Sequence, residues 1–205
     1  MLINLDRRPD RLESVSQRCR AIGLEFERFP ACDGKLENIS ILSAEATGQQ
    51  EEYWNLAAAG LNVTLRRIFE QAKQQQLRSI LILEDDVVFH PRINQVLARW
   101  MKDIPPDWET IFFGASHVKP FTPLTNSVVQ LNGSLCTHCH AVKHTVFDLM
   151  LELLHNTLRD PLDVLYATHV HTRGKSYGFS PNLAYQAADY SDIRNKRIEN
   201  NYLRI

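Results

Sequence analysis

The chain has 205 residues, of which 44% are hydrophobic and 23% charged, and its formal net charge is −1. That length suits one domain with a sizeable core, and the composition excludes a disordered chain. The near-neutral balance also argues against a general nucleic-acid binder, which carries a basic excess.

Residues 1–6, Met1-Leu2-Ile3-Asn4-Leu5-Asp6, read as a short buried strand. The early charge does not suit a secretory leader, and no apolar run approaches the length of a membrane span. A cytoplasmic protein is therefore expected, at most peripheral to the inner membrane. The four cysteines, Cys19, Cys32, Cys136 and Cys139, are then expected as free thiols. Pro9 and Asp10 open a helix in which Leu12, Val15, Cys19 and Ile22 recur at helical spacing, up to Gly23. Residues 24–29 are predicted as a second strand, and Asp33-Gly34 as a turn. Residues 35–54 are polar and show no clear period. Leu61, Leu65, Ile68, Phe69 and Ala72 form one apolar helical stripe.

Residues 79–83 follow as a strand buried on both faces, with four consecutive aliphatic side chains. Pro91 starts a helix with Ile93, Val96, Leu97 and Trp100 inward. Residues 108–113 are a further strand, and residues 127–131 and 137–142 are expected to pair as later ones. Val146, Leu149, Met150, Leu153 and Leu154 mark an amphipathic helix, and Pro161 and Asp163 the start of a short one. The alternation of strands and helices predicts an α/β domain with a largely parallel sheet.

The strand at 79–83 runs straight into Glu84-Asp85-Asp86. Ligands of open α/β sheets bind outside the carboxyl ends of the strands. Along an extended chain Glu84 and Asp86 share one face and Asp85 takes the other. Two converging carboxylates repel unless a cation lies between them, and Mg²⁺ or Mn²⁺ prefers such oxygens and completes its shell with phosphate. The plainer reading is a solvated strand-to-loop junction; placement directly after a buried aliphatic strand favours the metal.

Several blocks then carry a resemblance. Ile3-Asn4-Leu5-Asp6-Arg7-Arg8-Pro9-Asp10-Arg11-Leu12, Phe29-Pro30-Ala31-Cys32-Asp33-Gly34 and Ile80-Leu81-Ile82-Leu83-Glu84-Asp85-Asp86-Val87 come in order. Pro161-Leu162-Asp163 and Ser180-Pro181-Asn182-Leu183-Ala184-Tyr185-Gln186, followed by Ser191-Asp192-Ile193, come later. Together they resemble glycosyltransferase family 25, which includes bacterial lipooligosaccharide galactosyltransferases and collagen galactosyltransferases.

The resemblance implies a GT-A type fold: a Rossmann-like, mixed but largely parallel sheet flanked by helices, in a single domain over residues 1–205. It implies transfer of a hexose, galactose first, from a UDP-sugar to a glycan acceptor with inversion, assisted by Mn²⁺ or Mg²⁺. Lipid-linked glycans of lipopolysaccharide biosynthesis are among the acceptors it allows. Carried onto this sequence, the metal falls to Glu84 and Asp86. The nucleotide-sugar falls to Asn4, Asp6, Arg7, Arg8, Arg11, Asp33, Gly34, Asn62, Thr64, Glu84, Asp85 and Gln186.

Arginine suits bidentate contact with phosphate oxygens, and the alternative for Arg7, Arg8 and Arg11 is a solvated helix start. An inverting transfer needs a base for the acceptor proton. Asp163 is the first candidate, with helix capping as its other reading; Asp192 is the second, as base or further metal-site residue. The sequence departs from the family at Gly60-Leu61-Asn62-Val63-Thr64-Leu65, where a Gly-x-x-x-Ser-His element is usual. Thr64 can replace the serine hydroxyl, but Leu65 cannot replace an imidazole. A catalytically inactive sugar-nucleotide-binding homologue is therefore the alternative.

Cys136-Thr137-His138-Cys139-His140 formally matches a haem-attachment pattern and half a zinc site. Haem attachment needs export, and a zinc site needs a second ligand pair at ordinary spacing, so both are declined. His169 and His171 stand as further candidates to approach the metal.

Overall fold

The computed structural model describes residues 1–37, 52–156, 160–188, 190–191 and 196–197. Strand β1 (Leu2–Asn4) leads into helix α1 (Pro9–Ala21), strand β2 (Arg28–Pro30) and the long helix α2 (Glu52–Gln74). Strands β3 (Ser79–Glu84) and β4 (Val87–Phe89) flank the acidic turn, and helix α3 (Ile93–Trp100) leads to β5 (Thr110–Phe112). Short strands follow as β6 (Ser116–His117), β7 (Thr122–Pro123), β8 (Val128–Gln130) and β9 (Ser134–Leu135), then β10 (Cys139–Lys143). Helices α4 (Phe147–Asn156) and α5 (Leu162–Leu165) precede β11 (Ser176–Phe179), β12 (Ala184–Gln186), β13 (Tyr190–Ser191) and β14 (Lys196–Arg197). Between α5 and β11 the chain winds through a π-helical turn, Tyr166–Val170, and a 3₁₀ turn, His171–Arg173.

The main sheet has eight strands in the order β2-β1-β3-β10-β5-β11-β8-β7. Only β10 and β8 run against the rest, so the sheet is mixed but largely parallel. Side chains alternate between the faces, and each face has its own core. Ile3, Ile80, Ile82, Phe112 and Val142 pack with Leu65, Ile68 and Phe69 of α2 and Met150 and Leu154 of α4. Leu2, Leu83, Ile111 and Cys139 pack on the other face with Val15 and Cys19 of α1 and Ile93 and Trp100 of α3. Helices on both faces of one sheet make a three-layer α/β domain, which is the predicted architecture.

Two expectations need correction. The second strand is Arg28–Pro30 rather than residues 24–29; ahead of it, the Leu2 N–H reaches the Glu27 carbonyl at 2.7 Å, and the register puts Asn4 opposite Pro30. The segments at 127–131 and 137–142 do not pair with each other. β8 joins β11, whereas β10 inserts between β3 and β5. The reason is burial: Cys139, His140 and Val142 are covered, so β10 needs sheet neighbours on both sides and both faces packed.

Candidate active site

The carboxyl ends of β1, β2 and β3 open onto one cleft of about 750 Å³, and Gln186 of β12 lies on its rim. The pairing of β12 with β4 places Gln186 opposite Val87, and the Ala187 N–H donates to the Asp86 carbonyl at 2.7 Å. The family-like end of the chain is thereby laid beside the acidic turn.

Glu84, Asp85 and Asp86 all line the cleft, with their side chains held from different sides. Asp85 turns toward β1 and α1: Asn4 Nδ2 donates to its Oδ2 at 2.8 Å, and Arg11 pairs with its Oδ1 at 2.8 Å. Glu84 accepts from the Thr137 hydroxyl at 2.7 Å, across the sheet toward β10. Asp86 Oδ1 is buried without a hydrogen-bond partner among the described residues. Desolvation raises the Glu84 pKa above the ordinary carboxylate range, and the neighbouring Asp86 charge adds to it. Desolvation also raises Asp86, against the opposing pull of Arg11. Two crowded carboxylates, one with an orphaned oxygen, are short of positive charge.

That deficit fits a divalent cation. Among the described residues no group of three or more ligating side chains converges. Mg²⁺ and Mn²⁺ sites that also take substrate phosphates need only one or two protein carboxylates, so the pair suffices. Glu84 and Asp86 are the residues present that would hold it, while Asp85 is committed to Arg11 and Asn4.

The sequence-derived candidates separate into three groups. Asn4, Arg7, Arg11, Asp33, Gly34, Glu84, Asp85, Asp86 and Gln186 line the cleft. Arg7 Nε meets Asp33 Oδ2 at 2.6 Å, tying the loop after β1 to the loop after β2. A second group supports the site from outside. Thr64 is fully buried; its hydroxyl donates to the Gly60 carbonyl at 2.7 Å and accepts the Cys32 N–H at 2.9 Å. Asn62 is likewise buried and donates to the Asp160 carbonyl at 2.9 Å. Neither lines the cleft, and both brace the segments around it. Asp6 is exposed and ion-paired with Arg28, and Arg8 pairs with Asp10 at 2.9 Å; neither lines the cleft. The third group is Asp163, which does not line the cleft, and Asp192, which lies outside the described residues.

The charge of Asp163 is felt by Glu84. The N-cap of its helix is Pro161, and its Oδ2 accepts the Cys136 N–H at 3.3 Å. The carboxylate thus points to the segment before β10, and the capping alternative finds no hydrogen bond. His169 is exposed and His171 buried, its Nδ1 accepting the Ser134 N–H at 3.2 Å; neither lines the cleft.

The declined Cys136–His140 motif has a different use. Its backbone and side chains hold the acids: Cys136 N–H on Asp163, Thr137 hydroxyl on Glu84, and the His138 carbonyl on the Glu84 N–H at 2.9 Å. His140 Nδ1 lies 2.8 Å from the Thr137 carbonyl, so this nitrogen carries the proton. Its Nε2 then accepts from the Tyr166 hydroxyl at 3.1 Å. All four cysteines are free thiols. Two contributors had escaped the sequence reading. Thr137 was hidden inside the cysteine–histidine pattern. Arg18 donates to the Val87 carbonyl and lies close enough to Asp86 to feel its charge. Its signal was the seven-residue spacing from Arg11, which puts both guanidinium groups on one helix face.

The pattern described as "Glycosyltransferase family 25 (LPS biosynthesis protein)" matches residues 1–191. A "Glycosyltransferase 25 family member" of Drosophila pseudoobscura pseudoobscura is 32% identical over 150 residues, covering 66% of this chain and 24% of that protein. "Procollagen galactosyltransferase 2" of Mus musculus is 27% identical over 133 residues, covering 60% of this chain and 21% of that protein. The alignments thus span about a quarter or less of these relatives' length. A solved glycosyltransferase involved in glycosylation of the major capsid of PBCV-1 superposes with a TM-score of 0.53 at 14% identity, covering 95% of this chain and 94% of that one. At that identity the superposition speaks for the fold. With the match running through the acidic turn to the end of β12 and beyond, the chain belongs to glycosyltransferase family 25.

Proposed function

We propose that this chain transfers a hexose, galactose in the first instance, from a UDP-sugar to a hydroxyl of a glycan acceptor, lipid-linked glycans included, with inversion. The observation that carries the reading is the crowded pair Glu84 and Asp86 at the carboxyl end of β3, inside a cleft that Arg7, Arg11 and Asp33 also line. The family relationship supports glycosyl transfer, and a relative named for procollagen galactosylation supports galactose.

In this reading Glu84 and Asp86 hold Mn²⁺ or Mg²⁺, which when bound offsets charge on the donor diphosphate and its leaving group. Arg7 and Arg11 orient the nucleotide half, and Asn4 keeps Asp85 and Arg11 in register. Asp163 takes the proton of the acceptor hydroxyl. As it does so, the acceptor oxygen bonds to the anomeric carbon and the bond to the β-phosphate oxygen breaks, releasing UDP. Attack opposite the leaving group inverts the centre.

Calorimetry with UDP tests the donor half: affinity should require added Mn²⁺ and vanish with chelator. UDP binding indifferent to chelation would sink the metal assignment. Mass spectrometry over a panel of UDP-sugars then identifies the hexose. A second reading, a sugar-nucleotide-binding homologue without turnover, is favoured by Leu65. That residue is fully buried in the core where the family pattern has a histidine. Metal-dependent UDP binding with no hydrolysis or transfer of any donor would select it.

A further inference from the structure

His140 and Tyr166 are fully buried, and neither lines the cleft. The register places His140 opposite Ile82 of β3 and Phe112 of β5, so its ring enters the apolar core that contains both. Phe112 stacks on the imidazole with 5.2 Å between ring centroids, and Tyr166 meets it edge-on at 5.1 Å. A leucine would fill this space without the cost of burying polar atoms. Hydrogen bonds of fixed direction offset that cost. The Tyr166 hydroxyl donates to His140 Nε2 at 3.1 Å, and the Nδ1–H donates to the Thr137 carbonyl at 2.8 Å. The Thr137 hydroxyl in turn donates to Glu84 at 2.7 Å. A carbonyl only accepts, so one histidine tautomer alone completes the chain. Burial lowers the His140 pKa to about 4, which keeps the ring neutral at neutral pH.

We infer that His140 and Tyr166 are positioning residues which, acting through Thr137, hold the carboxylate of Glu84 in the cleft. The inference rests on the reading of Glu84 as a metal ligand and adds two residues from the core behind it. Holding the Thr137 carbonyl fixes the backbone from which the Thr137 hydroxyl projects. That hydroxyl sits on a β-branched carbon of restricted rotation, so the backbone placement passes directly to it. The next carbonyl, of His138, accepts the Glu84 N–H at 2.9 Å. One short segment therefore grips Glu84 by backbone and by side chain.

The far end of the chain is anchored as well. Tyr166 opens the π-helical turn that continues α5, one turn after Asp163. This helical stretch meets the segment 136–140 twice: Asp163 Oδ2 accepts the Cys136 N–H at 3.3 Å, and Tyr166 bonds His140. Two contacts of one helix with one segment keep the candidate base and the carboxylate of Glu84 in a fixed relation. Partners of this kind behind a ligating carboxylate set its orientation and its affinity for the ion.

Titration of the full chain with Mn²⁺ alone, followed by the electron paramagnetic resonance of the free ion, tests this. Tyr166→Phe keeps the ring and deletes the hydroxyl, and His140→Leu deletes the relay; each should weaken Mn²⁺ binding roughly tenfold. His140→Asn returns an amide N–H at the Nδ1 position and should recover most of that affinity. Being smaller, it leaves a cavity and should melt below His140→Leu. A residue that only supports the fold would rank affinity in the order of melting temperature instead. Equal affinity of the parent and Tyr166→Phe, or affinity that tracks melting temperature across the set, overturns the inference. Tyr166→Phe carries the test should the His140 variants fail to fold. Nitrogen NMR of the metal-free parent should find His140 as the Nδ1–H tautomer, and the Nε2–H tautomer overturns the inference without any variant. A parent chain that takes up no Mn²⁺ counts against the metal reading alone. The positioning role is then read from the carbon resonance of the Glu84 carboxyl at one pH. Tyr166→Phe should shift that resonance, and an unmoved resonance overturns the role.

Discussion

Asp86 has the least satisfied carboxylate in the cleft, with Oδ1 buried and unpartnered. Asp86→Asn should abolish Mn²⁺-dependent UDP binding by calorimetry without lowering the melting temperature, because it removes a desolvated charge and no core contact. Asp163→Asn should behave differently. Loss of a general base lowers rate by ~10²–10⁴-fold, while the donor site is untouched. UDP affinity should therefore persist as transfer collapses, and the Asn carbonyl still accepts the Cys136 N–H. Transfer at the parental rate would move the base elsewhere, with Asp192 next. Thr137→Val keeps the side-chain shape but removes the hydroxyl that donates to Glu84 at 2.7 Å. Weakening the shell around a metal carboxylate costs roughly 10-fold or more in affinity, which a Mn²⁺ titration would read. The acids were legible in the sequence because an aliphatic run ending in three carboxylates is a local pattern. Thr137 was not, since its partner lies 53 positions away.

At the scale of elements, the cleft depends on the loop after β2 lying hard against α2. A Cβ on Gly60 would meet the Cys32 carbonyl at 2.6 Å and the Gly34 N at 2.8 Å; a Cβ on Gly34 would meet the Leu56 carbonyl at 1.8 Å. Only two glycines face to face allow this approach, which carries Asp33 to Arg7. Gly60→Ala should cost about 1–3 kcal/mol through overpacking. A thermal melt should show a drop of about 2–4 °C per kcal/mol, and UDP affinity should fall with it. The Gly-x-x-x-Thr spacing was visible in the sequence but suggested ligand contact for Asn62 and Thr64. Their burial shows a bracing role: a threonine one turn after Gly60 bonds back to the helix and catches the Cys32 N–H. The helix and β3 were legible through their periods, but the β8 and β10 pairing was not, because a strand's neighbours are chosen by sheet order.

Across the whole molecule, three buried neutral histidines set an acid limit. His138, His140 and His171 each have a pKa lowered by desolvation from 6.5 to about 4. The unfolded chain therefore binds their protons first. Their contribution is complete above pH 6.5 and is lost as pH falls from 6.5 through about 4. Glu84 works in the opposite direction, since its raised pKa makes the folded chain hold a proton that the unfolded chain releases. Its contribution is present at acid pH and lost as pH rises through the folded value. Chemical denaturation across pH, without metal, should then show stability falling on both sides of an optimum. Glu84→Gln should flatten the alkaline limb and leave the acid limb in place; an unchanged alkaline limb would reject this origin for it.

The amino-acid sequence by itself determined the fold class, the helices and the acidic end of β3. Each of these is written in local periodicity, chain order and residue type, and these survive any arrangement in space. Only the tertiary structure decided which candidates meet. It sent Asn62 and Thr64 inward, left Asp6 to Arg28, and tied Asp163 to the backbone of Cys136. It also turned a cysteine–histidine run that resembled a metal motif into the support for two carboxylates. The physical reason is that desolvation and hydrogen-bond geometry depend on neighbours brought in from distant parts of the chain, and those neighbours exist only once the sheet is assembled.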